Sequence, residues 1–178
     1  MRKNETLFKI TLSAVFLALA YVLPFLTGQI PQFGAMLCPM HIPVLLCGFI
    51  CGWKHGAVVG FVAPLLRSLT LSMPPLFPTA FCMAFELSVY GVVAGLMYSL
   101  LPKKKLYIYV SLITAMIVGR IIWGAVMFGS LGFDISKFGL SAFWAGAVVN
   151  ALPGIILQIV VVPIVIIVYN NMFNKKNI

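Results

Sequence analysis

The chain has 178 residues, of which 62% are hydrophobic and 8% are charged. Soluble domains carry about a quarter charged residues, so most of this surface is expected to face lipid. The formal net charge is +9 at pH 7, but no aqueous segment combines a basic stripe with interleaved aromatic residues, which argues against nucleic-acid binding. The composition therefore predicts an integral membrane protein.

Prolines, glycines and charges divide the chain into six predicted helices. A helix needs about 20 apolar residues to cross a hydrocarbon core roughly 30 Å thick, and six crossings use nearly the whole chain. The first apolar stretch is too long for a signal-peptide core and lacks a small-residue cleavage pattern, so we expect a retained helix. The predicted helices cover residues 7–26, 41–52, 56–71, 78–101, 107–129 and 142–170.

The basic residues predict which side of the membrane each loop occupies. One side holds the two termini and the short 2–3 and 4–5 turns, with Arg2, Lys3, Lys9, Lys54, Lys103, Lys104, Lys105, Lys175 and Lys176. The longer opposite loops hold only Lys137. By the positive-inside rule both termini are cytoplasmic. The predicted fold is an all-α membrane protein, a single six-transmembrane-helix bundle over residues 1–178, whose longer outer loops are expected to cover a binding cavity.

Three polar residues on three predicted helices share one depth. Glu86 and Asn150 each lie eight residues from the outer helix end, roughly 12 Å at a rise of 1.5 Å per residue, and Arg120 lies roughly 13–14 Å deep. A carboxylate inside a membrane span is costly and is usually kept for substrate, ion or partner recognition. These residues therefore predict a functional site in the outer half of the bundle.

Neighbouring polar and aromatic residues extend this site into a predicted polar column. Trp123 lies one turn outward of Arg120, Tyr90 one turn inward of Glu86, and Gln158 two turns inward of Asn150. Arg67 lies nearer the outer surface and either points into the same space or snorkels outward. We expect Gln158 to have a structural role, and Asn150 either to bind ligand or to bond another helix.

Two interpretations of the charged residues remain open. In the first, Glu86 and Arg120 simply pair and lock two helices together. In the second, two arginines face one carboxylate, and the surplus positive charge is compensated by an anionic or strongly polar ligand. Arginine suits a carboxylate because its planar fork donates two parallel hydrogen bonds. The predicted ligand lies beneath the loops that contain His41 and Phe77.

The remaining motifs limit the chemistry. Cys38, Cys47, Cys51 and Cys82 are interpreted as small apolar residues, since no acidic or paired histidine ligands accompany them as a metal site would require. No P-loop, His-Glu-x-x-His or Gly-x-Ser-x-Gly motif is present, so binding or transport is favoured over enzymatic activity. Alternating access generally uses two related halves, and without an internal repeat the chain is expected to need partners.

Five segments resemble a known family. They are Pro39-Met40-His41-Ile42-Pro43-Val44, Pro64-Leu65-Leu66-Arg67-Ser68, Met73-Pro74-Pro75-Leu76-Phe77-Pro78-Thr79-Ala80, Gly119-Arg120-Ile121-Ile122-Trp123-Gly124 and Asn150-Ala151-Leu152-Pro153-Gly154-Ile155. Together with the six predicted spans and the long first outer loop, they make the whole chain similar to the substrate-binding S components of energy-coupling factor (ECF) transporters. Within that family the pantothenate branch is the nearest resemblance, and the pyridoxine-type branch is next.

The resemblance implies a function and a set of partners. The chain would capture a water-soluble vitamin or precursor and would hold no cofactor and no metal. A transmembrane coupling subunit and two cytoplasmic ATPases would complete the transporter, in a prokaryotic cell membrane. The family's Ala-x-x-x-Ala motif, which packs on the coupling subunit, matches Ala14 and Ala18, and small residues four apart favour close helix packing in any membrane protein. The alternative is an intramembrane structural or assembly protein in which Glu86 and Arg120 pair and no ligand binds.

Overall fold

In a computed structural model the described residues are 2–27, 36–102, 104–136 and 138–174, and their regular secondary structure is entirely helical. The helices are α1 (Arg2–Val22), α2 (His41–Cys51), α3 (Trp53–Leu71), α4 (Phe81–Leu100), α5 (Lys105–Ser130), α6 (Leu140–Trp144) and α7 (Leu152–Asn174). A 3₁₀ turn, Leu23–Thr27, follows α1. Most of the first outer loop and the predicted topology markers Lys103, Lys137, Lys175 and Lys176 lie outside the described residues.

Single residues end two of these helices. Gly52 joins α2 to α3 with φ 98°, a conformation that side chains rarely adopt, so the turn between these helices needs only one residue. Helix α3 consequently starts at Trp53, earlier than the predicted residue 56. At its other end Ser72 is left-handed, with φ 55°, and its N–H donates to the carbonyl of Ser68.

Two π-helical turns interrupt the predicted helices 4 and 6. Leu76–Ala80 precedes α4 and contains Phe77 in an extended conformation, so regular α-helix begins only at Phe81. Ala145–Val149 separates α6 from α7, and the N–H of Asn150 donates to the carbonyl of Ala145 at 2.9 Å. A π turn inserts one extra residue, so the side chains beyond it face a different direction from those of an unbroken helix.

Four helical regions of the described residues are long and apolar enough to cross a bilayer. They are Asn4–Leu26, Leu76–Leu100, Lys105–Ser130 and Leu140–Met172. Helix α2 is apolar but has 11 residues, about 16 Å of helix, which is roughly half the hydrocarbon thickness. The all-helical class is therefore confirmed, whereas the count of six crossings and the cytoplasmic termini stay predictions.

The short helix α2 lies in the middle of the bundle. All of its residues except Ile50 are buried, because it packs against α1, α3, α4 and α7. Helix α4 packs against α2, α3 and α5. Side chains at the start of α2 and in the first turns of α4 that point inward therefore face other helices and are shielded from the surroundings of the bundle.

Glycines allow α2, α3 and α4 to approach at backbone contact. A Cβ atom added to Gly48 would lie 2.6 Å from the carbonyl oxygen of Gly91, and one added to Gly91 would overlap the backbone of Gly56. Such contact through small residues is the usual way in which membrane helices pack closely. It fixes the relative position of α2 and α4, on which the polar residues described next are carried.

Candidate functional site

The carboxylate of Glu86 on α4 forms an ion pair with the guanidinium of Arg120 on α5. Glu86 Oε1 lies 3.0 Å from Arg120 Nη1, and the two side chains are 1% and 14% exposed. The sequence predicted that Glu86 and Arg120 lie at the same depth, and in the structure their side chains are in direct contact. Because an isolated buried charge is strongly disfavoured, each of these groups depends on the other for its stability in the bundle.

Two further residues of α2 and α4 surround this ion pair. His41, the first residue of α2, is buried with its Nε2 atom 3.4 Å from Glu86 Oε1. Its ring meets the ring of Tyr90 edge to face, with centroids 5.1 Å apart. Gly119 leaves room for that aromatic ring, since an added Cβ would lie 2.9 Å from Tyr90. Three helices therefore converge on one polar group.

Cys38 completes this arrangement from the segment before α2. Its Sγ atom accepts a contact from Arg120 Nη2 at 3.6 Å. The backbone of Cys38 is left-handed, with φ 46°, and its carbonyl accepts from the N–H of His41 at 3.1 Å. We refer to Cys38, His41, Glu86, Tyr90 and Arg120 as the Glu86 cluster.

The Glu86 cluster contains buried polar atoms that no other described residue satisfies. They are Glu86 Oε2, Arg120 Nε and His41 Nδ1. Buried polar groups in folded proteins are nearly always hydrogen-bonded, and each exception calls for an explanation. These atoms offer an acceptor, a donor and a group that acts as either, which is the set that a polar ligand with hydroxyl or amide groups would use.

Arg67 is placed away from the Glu86 cluster by its own contacts. It is 3% exposed, its Nη1 atom donates to the carbonyl oxygen of Tyr21 at 2.7 Å, and its guanidinium carbon lies 4.9 Å from the centre of the Phe25 ring. The guanidinium thus caps the C-terminal end of α1. The surplus positive charge that we inferred from two arginines facing one carboxylate is therefore absent from the contacts of Glu86.

Trp123 lies one turn beyond Arg120 on α5 and is half-buried. Its ring packs against Phe138 and Phe143, with centroids 5.7 and 6.4 Å away, and against Gly146. Beside it is an open depression of about 340 Å³, lined by Phe128, Ile135, Phe138, Gly139, Leu140 and Phe143. Trp123 therefore lies one turn from Arg120 along α5 and packs against two of the aromatic residues that line this depression.

Besides Arg67, two further predicted site residues lie outside the Glu86 cluster. Asn150 is exposed, in the break between the second π turn and α7, because the extra residue of that turn changes which side chains face inward. Phe77 is also exposed and packs against Phe81. A direct role for either residue in ligand binding stays a prediction.

Gln158, further along α7 than Asn150, is a polar residue that does face inward. It is 1% exposed, and neither atom of its side-chain amide has a hydrogen-bond partner among the described residues. We expected a structural role for Gln158. The hydrogen bond to another helix that would give it such a role is not formed within the described part of the chain.

A comparison of the sequence with models of protein families identifies the family of this chain. The model of the ECF transporter substrate-specific component matches residues 8–166. The chain belongs to this family. Searches of curated proteins and of solved structures found no match.

Family membership fixes the general role of this S component. It confirms the resemblance of the sequence and shows a substrate-binding transport subunit rather than an enzyme. The Glu86 cluster lies within the matched residues, as do Ala14 and Ala18. Both alanines are exposed on α1, so the Ala-x-x-x-Ala motif is not used for packing within the bundle.

Proposed function

We propose that this S component captures a small water-soluble vitamin or vitamin precursor at the Glu86 cluster. The observation that carries the proposal is a set of three buried polar atoms around one ion pair, on Glu86, Arg120 and His41, that no described residue satisfies. Leaving a buried donor or acceptor unpaired costs about 1–3 kcal/mol. A ligand that bonds these atoms recovers that cost on binding.

These unsatisfied atoms also weigh against the alternative of a purely locking ion pair. A lock between α4 and α5 needs only the contact of Glu86 Oε1 with Arg120 Nη1. It gives no reason to bury Glu86 Oε2 and Arg120 Nε without partners. The two roles are compatible, because different atoms of the same side chains serve them.

Pantothenate is the first candidate substrate, and a pyridoxine-like vitamin is the second. With Arg67 bonded to Tyr21, the charges of Glu86 and Arg120 balance each other, so the entering group has to be polar but need not be an anion. Pantothenate offers hydroxyl and amide groups as well as a carboxylate, and pyridoxine offers hydroxyl groups and a ring nitrogen. The aromatic residues near Trp123 would contact the apolar part of either molecule.

The proposed transport cycle requires other subunits. A transmembrane coupling subunit would pack on α1 at Ala14 and Ala18, where small side chains permit close approach. Two cytoplasmic ATPases would supply the energy, and substrate would be released into a prokaryotic cell. The chain itself would remain a multi-pass protein of the cell membrane.

Mass spectrometry and titration test this proposal together. Gently purified protein is expected to retain a small polar molecule, and isothermal titration with pantothenate, panthenol and pyridoxine is expected to give saturable binding by at least one of them. Panthenol replaces the carboxylate of pantothenate with an alcohol, so it tests the anion separately. Glu86→Gln should weaken binding of whichever compound titrates. Protein that retains nothing, and that titrates with none of the three, would contradict the proposal.

A further inference from the structure

Gln158 repeats, on a fourth helix, the property that marks the Glu86 cluster. Its amide is buried, and both Oε1 and Nε2 lack a hydrogen-bond partner among the described residues. A glutamine that only stabilised the bundle would gain from a bond to a neighbouring helix, whereas an unpaired buried amide destabilises it. A purely structural role would therefore favour a glutamine whose amide has a hydrogen-bond partner.

Contacts near both ends of α7 show how this helix lies against α2. At one end a Cβ on Gly154 would lie 2.8 Å from the carbonyl carbon of Leu37, and these residues are 117 positions apart. Towards the other end Asn170 Nδ2 donates to the Tyr98 hydroxyl at 2.7 Å, and the Tyr98 ring meets the ring of Phe49 on α2 with centroids 5.2 Å apart. Since the start of α7 meets the segment before α2 and its end lies near Phe49, the two helices run in the same direction.

Gln158 lies nearer to Gly154 than to Asn170 along α7, and therefore nearer to the start of α2 than to its end. At the start of α2, His41 also has an Nδ1 atom without a hydrogen-bond partner among the described residues. Gln158 also lies four residues after Gly154, on the same face of α7, which is the face that contacts the segment leading to Cys38. Gln158 therefore faces the part of the bundle from which Cys38 and His41 approach Arg120 and Glu86.

We propose that Gln158 is a further ligand-contacting residue, and that it selects a ligand group with both a hydrogen-bond donor and an acceptor, such as a hydroxyl or an amide. This inference rests on the proposed function of the Glu86 cluster. A side-chain amide presents one carbonyl acceptor and two N–H donors. A site that hydrogen-bonds such a group rejects analogues that lack it, because its own buried groups would then stay unpaired.

Gln158→Leu tests this role because it keeps a similar volume and removes only the polar atoms. In ligand-free protein the change should raise the midpoint of thermal unfolding by about 2–4 °C, since it relieves an unpaired buried amide. Binding of the vitamin retained by wild-type protein, or of pantothenate or pyridoxine where these titrate, should weaken at least tenfold. Higher stability with weaker binding is a combination that a structural residue does not give.

Asn170→Ala is the matched control on the same helix. Asn170 Nδ2 donates to the Tyr98 hydroxyl at 2.7 Å, so its loss should lower the unfolding midpoint and leave ligand affinity unchanged. The inference is overturned if Gln158→Leu binds as tightly as wild type, or if it destabilises the ligand-free protein as Asn170→Ala does. If wild-type protein binds no vitamin at all, the proposed function fails and this inference falls with it, an outcome distinct from failure at Gln158 alone.

Discussion

Glu86 uses one carboxylate oxygen to bond Arg120 at 3.0 Å, while its second oxygen is buried without a hydrogen-bond partner among the described residues. The first oxygen joins α4 to α5, and the second is available to a ligand. Stability and binding should therefore depend on both residues, but through different atoms. Substitutions at this pair are expected to affect the two properties to different degrees.

The first prediction concerns the energetic coupling of this pair. Glu86→Gln or Arg120→Met alone leaves a buried charge without its partner and should cost about 3–5 kcal/mol of unfolding free energy. The double variant should cost less than the sum of the single variants, with a coupling of roughly 0.5–3 kcal/mol. Equilibrium unfolding of the ligand-free protein in mild detergent measures all four corners of the cycle.

An additive pair provides the control for that cycle. Asn170 bonds Tyr98 on a different part of α4, so Arg120→Met and Asn170→Ala share no described partner. Their effects should add to within about 0.5 kcal/mol, as expected for independent sites. Additive losses for Glu86→Gln with Arg120→Met would instead show that the observed ion pair contributes no coupling.

The second prediction tests the glycine contact that positions α3 against α4. Gly91→Ala would force a methyl group into the backbone of Gly56, and overpacking of this kind costs about 1–3 kcal/mol. Gly129→Ala is the control, because the nearest atom to its added Cβ is 3.8 Å away. Glycine loses more backbone freedom on folding than alanine does, so this control should be neutral or stabilising by roughly 0.5–1 kcal/mol. Equal unfolding midpoints for the two variants would contradict the packing described here.

Depth along a helix is the part of the site that the sequence could predict. Helix ends follow from prolines, glycines and charges, and counting residues from those ends set Glu86 and Arg120 at one level. The method works where the helix is regular, as α5 is throughout its 26 residues. The same counting set Tyr90 one turn inward of Glu86, whereas His41 was predicted from its place in an outer loop above the ligand.

The sequence could not predict where the backbone is irregular or in which direction individual side chains point. The π turn Ala145–Val149 shifts the facing of α7, and Gln158 rather than Asn150 became the buried residue. Cys38 approaches Arg120 across 82 residues of sequence and through a left-handed backbone, for which no local motif gave a signal. Arg67 had two possible directions, and only the position of Tyr21 decides between them.

The third prediction compares the two arginines. Arg120→Lys keeps the charge but loses the planar fork and the Nε donor, so ligand affinity should fall at least tenfold. Arg67→Lys should lower stability by about 1–2 kcal/mol through its contacts with Tyr21 and Phe25. Its effect on affinity should stay within threefold. Titration of both variants with the same vitamin makes the comparison, and a larger loss of affinity for Arg67→Lys would reverse the assignment of the binding arginine.

The last prediction concerns the exposed alanines of α1. Ala14 and Ala18 lie one turn apart and are both exposed, so a bulky side chain there is tolerated by the bundle but prevents another helix from packing closely. Ala14→Trp should therefore preserve the unfolding midpoint and ligand affinity while sharply reducing recovery of the complex with the transmembrane coupling subunit. Ala125→Trp, at an exposed alanine of α5, is the matched control and should leave the complex intact. If Ala14→Trp recovers the complex at the wild-type level, the coupling subunit binds elsewhere. If both variants lose the complex, the cause is a general effect of tryptophan on a membrane-facing helix.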